Sequence, residues 1–384
     1  MKVLQISKYY YPFIGGTEQV AMDIANVLKA NGIEQKIICF NEDSENKQYK
    51  CNRKETVTDN VDGVEVIRCG CCAKISSQAL SLTYGRRLKA IFVDFDPDIV
   101  ILHYPNPFVT HYLLKYIPQK TKLIVYWHLD ITKQKILKHF IHPQNVALIK
   151  RANRIIGATP KHIDESAYTA YFENKKQILP YAIDEKRLVI TDAEIENAGR
   201  IKDKYKDKTL CFFIGRHVPY KGLKYLIEAS KLCDDNIHFI VAGKGELTEQ
   251  LKEQAKDDKK VEFIGKISDS EWRSYLYACD IFCFPSVTRN EGFGLALAEG
   301  MYYGKPAVTF TIPGSGVNYV NLDGVTGIEC PNCDSVAYAE AIKSLASNDK
   351  FREECGIKAK NRIKDNFLFE NFEKNIMTLI NEIK

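Results

Sequence analysis

The chain of 384 residues lacks any apolar run that approaches the roughly 20 residues of a membrane-spanning helix. Its first residues, Met1 to Leu4, lead directly into a strand-like pattern and lack the basic and apolar regions of a signal peptide. We therefore expect a cytoplasmic protein without a transmembrane helix.

The chain also lacks a strong net charge, with a formal value of +5 at pH 7. We expect no nucleic-acid partner. Two stretches, 73–91 and 131–154, nevertheless contain Lys and Arg but no Asp or Glu, interleaved with apolar residues. Such stretches fit either solvated helix faces or a surface that rests on anionic lipid, which would place the protein on the inner face of a membrane. Their basic residues are Lys74, Arg86, Arg87, Lys89, Lys133, Lys135, Lys138, Lys150, Arg151 and Arg154.

Paired C-x-x-C motifs, which indicate structural zinc sites, are missing. Cys330 and Cys333 have this spacing once, and no second pair accompanies them. The 12 cysteines are expected to be reduced thiols, with Cys39, Cys211 and Cys283 in the core. We expect no metal and no cofactor.

The complete G-x-G-x-x-G motif of dinucleotide-binding proteins is absent as well. Gly243 and Gly245 form only a G-x-G pair, which is weak evidence for such a site. Glu42 and Asp43 do follow the second predicted strand, where an NAD-binding acid would lie. An NAD-dependent oxidoreductase therefore remains an alternative.

Short apolar segments rich in Val and Ile alternate with helical patterns in both halves of the chain, which is typical of buried parallel strands. The predicted strands are 3–7, 35–40, 64–69, 98–103, 122–128, 154–158, 210–215, 238–243, 261–265, 281–286, 307–310 and 327–330. This alternation predicts an α/β fold with two Rossmann-like, doubly wound parallel sheets. A polar stretch at 178–200 indicates a hinge, so the predicted domains are 1–185 and 186–366.

Glycines and polar residues follow several predicted strands at their carboxyl ends, where ligands bind in open α/β sheets. They include Gly15, Gly16, His103, His128, Gly215, Arg216 and Gly243. If the two sheets face each other across a cleft, these loops come together there.

Glu291 and Glu299 bracket a glycine-containing segment that begins a helix. Gly292 and Gly294 allow close approach of the backbone to a ligand, and the N–H groups at a helix start suit a phosphate. Carboxylates accept hydrogen bonds from ribose and hexose hydroxyls. The pair therefore favours a nucleotide sugar, although a capped helix with one surface and one buried Glu has the same pattern.

Arg216 and Lys221 supply two cations just past a strand of the second half. Fixed cations stabilise the charge that develops on a departing diphosphate. Two solvated loop cations are the structural alternative.

His128 ends the fifth strand of the first half, and its neutral imidazole could accept a hydroxyl hydrogen bond. Asp130 could orient His128, touch the acceptor or cap the next helix. His103 is a further candidate for the acceptor side.

The run FPS…NEGFGLALAEGMYYGKPAV, which extends from Phe284 to Val308, resembles the E-x7-E segment of retaining GT-B glycosyltransferases of family four. The Gly215 to Gly222 segment resembles the G-R-…-K-G element of the same family, and Gly15-Gly16 its N-terminal glycine loop. Gly300 departs from the usual Ala. The resemblance covers nearly the whole chain and is densest from 210 to 327.

This resemblance implies a metal-independent transfer of a hexose from a nucleoside diphosphate, with retention of configuration. His128, Glu291, Arg216 and Lys221 would be catalytic. The donor would be bound by Gly15, Gly16, Gly215, Gly243, Lys266, Gly292, Phe293, Gly294, Leu295 and Glu299. Glu291 would hold the sugar and Glu299 the ribose, while the terminal helix, 367–384, would pack on the first domain.

The segment 313–321 is similar to bacterial surface-polysaccharide mannosyltransferases, which favours GDP-mannose over UDP-sugars as the donor. A glycan or lipid-linked glycan would be the acceptor. A GT-B nucleotide-sugar 2-epimerase and an inactive sugar-nucleotide-binding protein remain the alternatives.

Overall fold

The computed structural model describes residues 1–13, 15–42, 51–75, 78–131 and 135–384, without the side chains of 135–140. Two compact units account for the chain. The first unit is Met1–Pro180 together with Phe372–Lys384, and the second is Tyr181–Asn371. The hinge that the sequence places after residue 185 stays a prediction.

The first unit is built on an eight-stranded sheet in the order β10-β9-β8-β7-β1-β2-β4-β3. Its strands, with the separate β5–β6 hairpin, are β1 Lys2–Ile6, β2 Glu34–Asn41, β3 Val57–Val61, β4 Val64–Gly70, β5 Ala73–Ile75, β6 Gln78–Leu80, β7 Ile99–Tyr104, β8 Lys122–Trp127, β9 Arg154–Gly157 and β10 Lys176–Ile178. All neighbours in the sheet pair in parallel except β3 and β4. The six predicted strands are all present.

The helices of the first unit connect these strands over both faces. They are α1 Gly16–Ala30, α2 Tyr84–Asp94, α3 Pro107–Tyr116, α4 Lys135–Arg151, α5 Pro160–Asp164 and α6 Thr169–Phe172. Because side chains alternate along a strand, Leu4 and Ile6 of β1 belong to a large core cluster that also contains Leu88 of α2. Ala21 and Ala25 of α1 pack in a second cluster with Ile37 of β2.

The second unit contains a six-stranded, fully parallel sheet in the order β13-β12-β11-β14-β15-β16. Its strands are β11 Thr209–Ile214, β12 Ile237–Ala242, β13 Val261–Gly265, β14 Ile281–Phe284, β15 Ala307–Phe310 and β16 Gly327–Cys330. This is the strand order of the Rossmann fold. The predicted class, two doubly wound parallel-sheet domains, is therefore confirmed.

The helices of the second unit are α7 Asp192–Lys204, α8 Leu223–Ser230, α9 Thr248–Ala255, α10 Asp269–Ala278, α11 Leu295–Tyr302, α12 Val317–Val320, α13 Ser335–Ser347 and α14 Asp349–Asn366. Two of them begin with a complete capping box, Thr191 with Glu194 at α7 and Ser268 with Glu271 at α10. Such reciprocal hydrogen bonds satisfy N–H groups that a helix start leaves unpaired.

The last helix, α15, spans Phe369–Ile383, and most of it belongs to the first unit. Its apolar side chains repeat at helical spacing and are buried at Phe372, Ile376, Leu379, Ile380 and Ile383. Across the described ranges, no helix is both long enough and apolar enough to cross a membrane.

Candidate functional site

The loops that follow β11, β12 and β13 meet at the carboxyl edge of the second sheet. Gly243 has φ +116°, and a Cβ at this position would lie 1.9 Å from the Gly215 carbonyl oxygen. Its N–H donates to the Gly265 carbonyl at 2.7 Å. Such contact between backbones requires glycine, so these loops are held in one arrangement.

The loop after β14 joins the same edge. The Val287 N–H donates to the Tyr220 carbonyl at 2.9 Å. A Cβ on Gly222 would lie 2.0 Å from the Pro285 carbonyl oxygen. Because β11 and β14 are neighbours in the sheet, the predicted Arg216 to Lys221 element and the Glu291 segment lie side by side.

Lys221 and Glu291 form an ion pair at the centre of this edge. The Lys221 Nζ donates to Glu291 Oε2 at 2.5 Å, and the side chains are only 11% and 12% exposed. The Ser286 hydroxyl donates to the same carboxylate oxygen at 3.0 Å. The hydroxyl of Ser315 donates to the Glu291 carbonyl, so this residue is fixed at both its side chain and its backbone.

Helix α11 begins beside this pair. Gly294 is its N-cap residue in the left-handed region, with φ +88°. A Cβ there would lie 3.3 Å from Phe284 and Leu297. The first N–H groups of the helix, beginning at Leu295, carry the partial positive charge of a helix start.

Phe293 and Gly292, both predicted to bind the donor, have structural contacts. The Phe293 ring is 2% exposed and packs against Tyr181 and Phe367 at centroid distances of 5.2 and 5.4 Å. The Gly292 carbonyl accepts from the Gly316 N–H at 2.7 Å. Phe293 therefore anchors the segment in the core, so its contribution to a donor is limited to its backbone.

Glu299 lies in the second turn of α11 and is half-buried. Burial raises the pKa of its carboxyl to about 7, with a smaller opposing effect from Arg187 and a smaller reinforcing one from Asp269. A group with this pKa changes its charge near neutral pH. It would be held in the charged form by hydroxyl donors.

Arg216 and Lys266 are both exposed at this edge. The guanidinium of Arg216 donates to the Tyr220 hydroxyl at 3.4 Å. Lys266 directly follows Gly265, at the end of β13. The exposed Arg216 side chain can therefore extend towards an anion that is bound near Lys221.

In the first unit, Gly15 and Gly16 begin α1, as predicted from the sequence. A Cβ on Gly15 would lie 2.3 Å from Glu18 Oε2. Glu18 is a first-turn residue of the helix and places a carboxylate near its amino end. A carboxylate at this position favours the binding of a hydroxyl group and repels a phosphate.

His128 and His103 are hydrogen-bonded in the interior of the first unit. His128 Nε2 lies 3.0 Å from His103 Nδ1, and His103 Nε2 lies 3.2 Å from Gln5 Oε1. Burial lowers the pKa of His103 to about 3. Burial, with smaller effects from His103 and His162, holds the pKa of His128 well below its usual value. Both imidazoles are therefore neutral at physiological pH.

Asp130 supports the loop after β8. Its carboxylate accepts from Trp127 Nε1, the Ser166 hydroxyl and the Ala167 N–H, each at 2.8 Å. These bonds tie the end of β8 to the segment after α5. The ring of His128 is held by His103, and the role of Asp130 towards an acceptor stays a prediction.

Several other acidic residues lie elsewhere. Asp98 precedes β7 and accepts from the Lys2 N–H at 2.8 Å, so it lies at the amino edge of the sheet. Glu42 pairs with Arg53 at 2.5 Å, and Asp43 is outside the described residues. Among the described residues, no group of three or more His, Cys, Asp or Glu side chains is arranged to hold a metal ion.

The predicted lipid-facing stretches are only partly described. Lys133 and the side chains of Lys135 and Lys138 lie outside the described residues. Arg151 donates to the carbonyls of Pro118 and Thr121 at 2.7 Å, so this cation has an internal structural role. The exposed basic side chains of α2 are Arg86, Arg87 and Lys89.

Sequence reasoning missed Gln5, Ser286 and Ser315. Gln5 is a fully buried polar residue in the otherwise apolar end of β1. That pattern alone signals a polar partner inside the sheet, because a buried amide without one is costly. The two serines carry no comparable signal in the sequence.

Comparison with known proteins agrees with this arrangement. A family model described as glycosyl transferases group 1 matches residues 194–362, and one described as glycosyltransferase family 4 matches residues 14–187. The O-antigen chain mannosyltransferase C of Escherichia coli is 26% identical over 96% of this chain and 94% of its own. A D-rhamnosyltransferase of Pseudomonas aeruginosa is 26% identical over 96% and 92%.

A crystal structure of Anabaena HepE in complex with UDP-glucose superposes with a TM-score of 0.75, at 17% identity and over 100% of both chains. This likeness shows the same GT-B fold. The two family models together match both units, and the chain therefore belongs to the group 1 glycosyltransferases, family four.

Proposed function

We propose that this glycosyltransferase moves a hexose from a nucleoside diphosphate, with GDP-mannose favoured over UDP-sugars, to a glycan or lipid-linked glycan of a surface polysaccharide. The observation that carries the donor assignment is the buried Lys221–Glu291 pair beside the start of α11. It places a cation, a carboxylate and helix N–H groups at one sheet edge. A nucleotide sugar needs these three partners for its diphosphate and its hydroxyls.

The diphosphate would be bound by Arg216, Lys221 and the first N–H groups of α11. Negative charge grows on this group as the bond to the sugar breaks, and preorganised cations stabilise it most at that point. Lys221 is held by Glu291 when no donor is bound. The diphosphate would share or take over that cation.

The sugar and the ribose would be bound by carboxylates. Glu291, fixed by Ser286 and Lys221, would accept from the hydroxyls of the transferred hexose. Glu299 would accept from the ribose. As the sugar becomes oxocarbenium-like, a nearby carboxylate also stabilises its developing positive charge.

The first unit would contribute His128 and the start of α1. A neutral imidazole can accept a hydrogen bond from a sugar hydroxyl and thereby orient the sugar. The carboxylate of Glu18 near Gly15 suits an acceptor hydroxyl better than a phosphate. We therefore assign the glycine loop to the acceptor side, in place of the donor side that the family resemblance implies for Gly15 and Gly16.

The preference for mannose rests on the 313–321 segment and on relatives named as mannosyl- and rhamnosyltransferases. A thermal-shift panel of GDP-, UDP- and ADP-sugars tests it, since a ligand that binds only the folded state raises the melting temperature. GDP-mannose should give the largest rise, which Lys221→Met should abolish. Lys231→Met, which removes an exposed cation at the end of α8, should preserve it. A larger rise with a UDP-sugar would refute the choice of nucleotide.

Retention and metal independence are tested on the product. The one-bond C1–H1 coupling at the anomeric centre of the product should match that of an α-linked donor, and turnover should survive complete chelation of divalent ions. An inverted product or loss of turnover with chelator would refute the respective claim. Donor consumption without any acceptor would instead support the 2-epimerase alternative.

We also propose a peripheral position on anionic membranes, which the basic stretches of the first half support. The exposed cations of α2, Arg86, Arg87 and Lys89, provide the test. The protein should sediment with anionic vesicles at moderate salt, and a triple Glu variant at these positions should sediment less. Equal sedimentation of both proteins would contradict the membrane contact.

A further inference from the structure

A row of buried polar side chains crosses four adjacent strands of the first sheet. Its members are Gln35 in β2, Gln5 in β1, His103 in β7 and His128 just after β8. Gln5 is level with Ile37 and Ile101, and His103 with Tyr126, so all four positions share one face of the sheet. Gln5, His103 and His128 are at most 2% exposed.

The row is connected by hydrogen bonds from end to end. Gln35 Nε2 donates to the Ala25 carbonyl of α1 at 2.7 Å, and Gln5 Nε2 donates to Gln35 Oε1 at 3.4 Å. The remaining two links are His103 Nε2 to Gln5 Oε1 at 3.2 Å and His128 Nε2 to His103 Nδ1 at 3.0 Å.

The Ala25 end sets the direction of every link. A backbone carbonyl only accepts, so the Gln35 amide must turn its NH2 group towards Ala25 and its oxygen towards Gln5. Gln5 must then donate to Gln35 and turn its own oxygen towards His103. His103 consequently carries its proton on Nε2, which leaves Nδ1 as an acceptor for the N–H of His128.

We infer that Gln5 and His103 are positioning residues that set the tautomer of His128, with the proton on Nε2 and the lone pair on Nδ1. The use of that lone pair rests on the proposed function, in which it would accept a hydrogen bond from a hydroxyl of a substrate sugar. A buried polar row in a sheet is costly to build unless every member is bonded. In this row, each hydrogen bond also determines which atom of the pair carries the shared proton.

The tautomer is measured by 15N NMR of the protein labelled at its histidine rings, with His128→Gln to assign the signals. Wild type should show a pyrrole-type shift for His128 Nε2 and a pyridine-type shift for Nδ1. The opposite pattern, or a charged ring at neutral pH, overturns the inference without any activity measurement.

Variants then connect the tautomer to turnover. Gln5→Leu removes the acceptor for His103, so the His128 signals should move towards the Nδ1–H tautomer and kcat/KM should fall about tenfold, as for the loss of one hydrogen bond. Thr121→Val, buried at the other edge of the sheet, is the control for general destabilisation.

If Gln5→Leu does not fold, Gln35→Leu tests the same effect on the His128 tautomer, because Gln35 is less buried and also belongs to the row. Unchanged signals in a folded Gln5 or Gln35 leucine variant would overturn the role of the row. A changed tautomer with unchanged turnover would overturn the use of Nδ1. A correct wild-type tautomer in a protein that turns over no nucleotide sugar would overturn the proposed function and support the tautomer assignment.

Discussion

Arg216 is the more exposed of the two cations proposed to act on the diphosphate, and its guanidinium donates to the neutral hydroxyl of Tyr220. Arg216→Ala should lower turnover by about 10²–10³-fold, as does the loss of one preorganised charge stabiliser. Steady-state kinetics with the best donor of the panel measure this. Arg200→Ala removes an exposed cation of α7 paired with Glu196 and should change turnover less than about twofold. Equal effects of the two variants would remove Arg216 from the mechanism.

Glu299 should make nucleotide binding depend on pH. Its pKa is about 7 in the free protein because burial disfavours the charged form. Hydroxyl donors prefer the charged carboxylate, so binding lowers this pKa and releases a proton. Affinity should therefore be full above pH 7 and fall as the pH drops through 7, by roughly 3–10-fold between pH 8 and pH 6.

Isothermal titration of the nucleoside diphosphate from pH 6 to pH 8 measures this effect. Glu299→Gln cannot ionise at this position, so its affinity should be lower at pH 8 and should vary with pH only through the titration of the nucleotide phosphates. The nucleotide phosphates titrate similarly in both proteins, and the variant therefore corrects for them. The same slope in both proteins would show that Glu299 does not hold the ribose.

At the scale of elements, the loops at the carboxyl edge of the second sheet depend on backbone contact. Gly243→Ala would force a side chain into a positive-φ position and against the Gly215 carbonyl. We expect a loss of about 2–4 kcal/mol in the free energy of unfolding, together with weaker donor binding. Hydrogen exchange of peptides from 209–265 and nucleotide titration measure the two effects.

Gly199, exposed within α7, is the matched control. A Cβ there meets nothing within 4 Å, and the residue lies in a helix interior. Gly199→Ala should therefore stabilise the protein by about 0.5–1 kcal/mol and leave donor binding unchanged. Tolerance of Gly243→Ala would mean that the loops after β11 and β12 rearrange easily.

All twelve predicted strands are present. They could be predicted because a strand that is buried on both faces of a parallel sheet has a short, continuous apolar sequence between turn residues. The edge elements β3 and β10 were missed. Both are polar or half-exposed, and their pairing depends on a neighbour and not on their own pattern. A helix beginning in the glycine segment was predicted without bounds, and in the structure it starts directly after Gly294, whose φ is positive.

The site was only partly predictable. Lys221 and Glu291 were both proposed, but their contact spans 70 positions and depends on β11 and β14 being neighbours, which local patterns do not specify. The His103–His128 bond likewise depends on strand order. Asp130 shows a different limit of the sequence. An acidic residue after a strand can bind a ligand or stabilise a loop, and only the structure shows that Asp130 accepts from Trp127, Ser166 and Ala167.

At the scale of the whole molecule, the first compact unit is made of two separate parts of the sequence, because the C-terminal segment Phe372–Lys384 belongs to it. Leu379 in this segment is 2% exposed. Leu379→Ala should destabilise by about 2–4 kcal/mol, through lost burial and the cavity left behind. The effect should appear in the first unit, although the substitution lies near the end of the chain.

Hydrogen exchange with mass spectrometry resolves the two units, which a single melting curve does not. Peptides from Met1–Pro180 should exchange faster in Leu379→Ala than in wild type, and those from Tyr181–Asn371 should be nearly unchanged. Thr378→Ala, on the exposed side of the same helix, should leave both units unaffected or slightly stabilised, since Ala has the higher helix propensity. Faster exchange in the second unit alone would show that the terminal helix is stabilised by that unit, and the division of the chain would have to be redrawn.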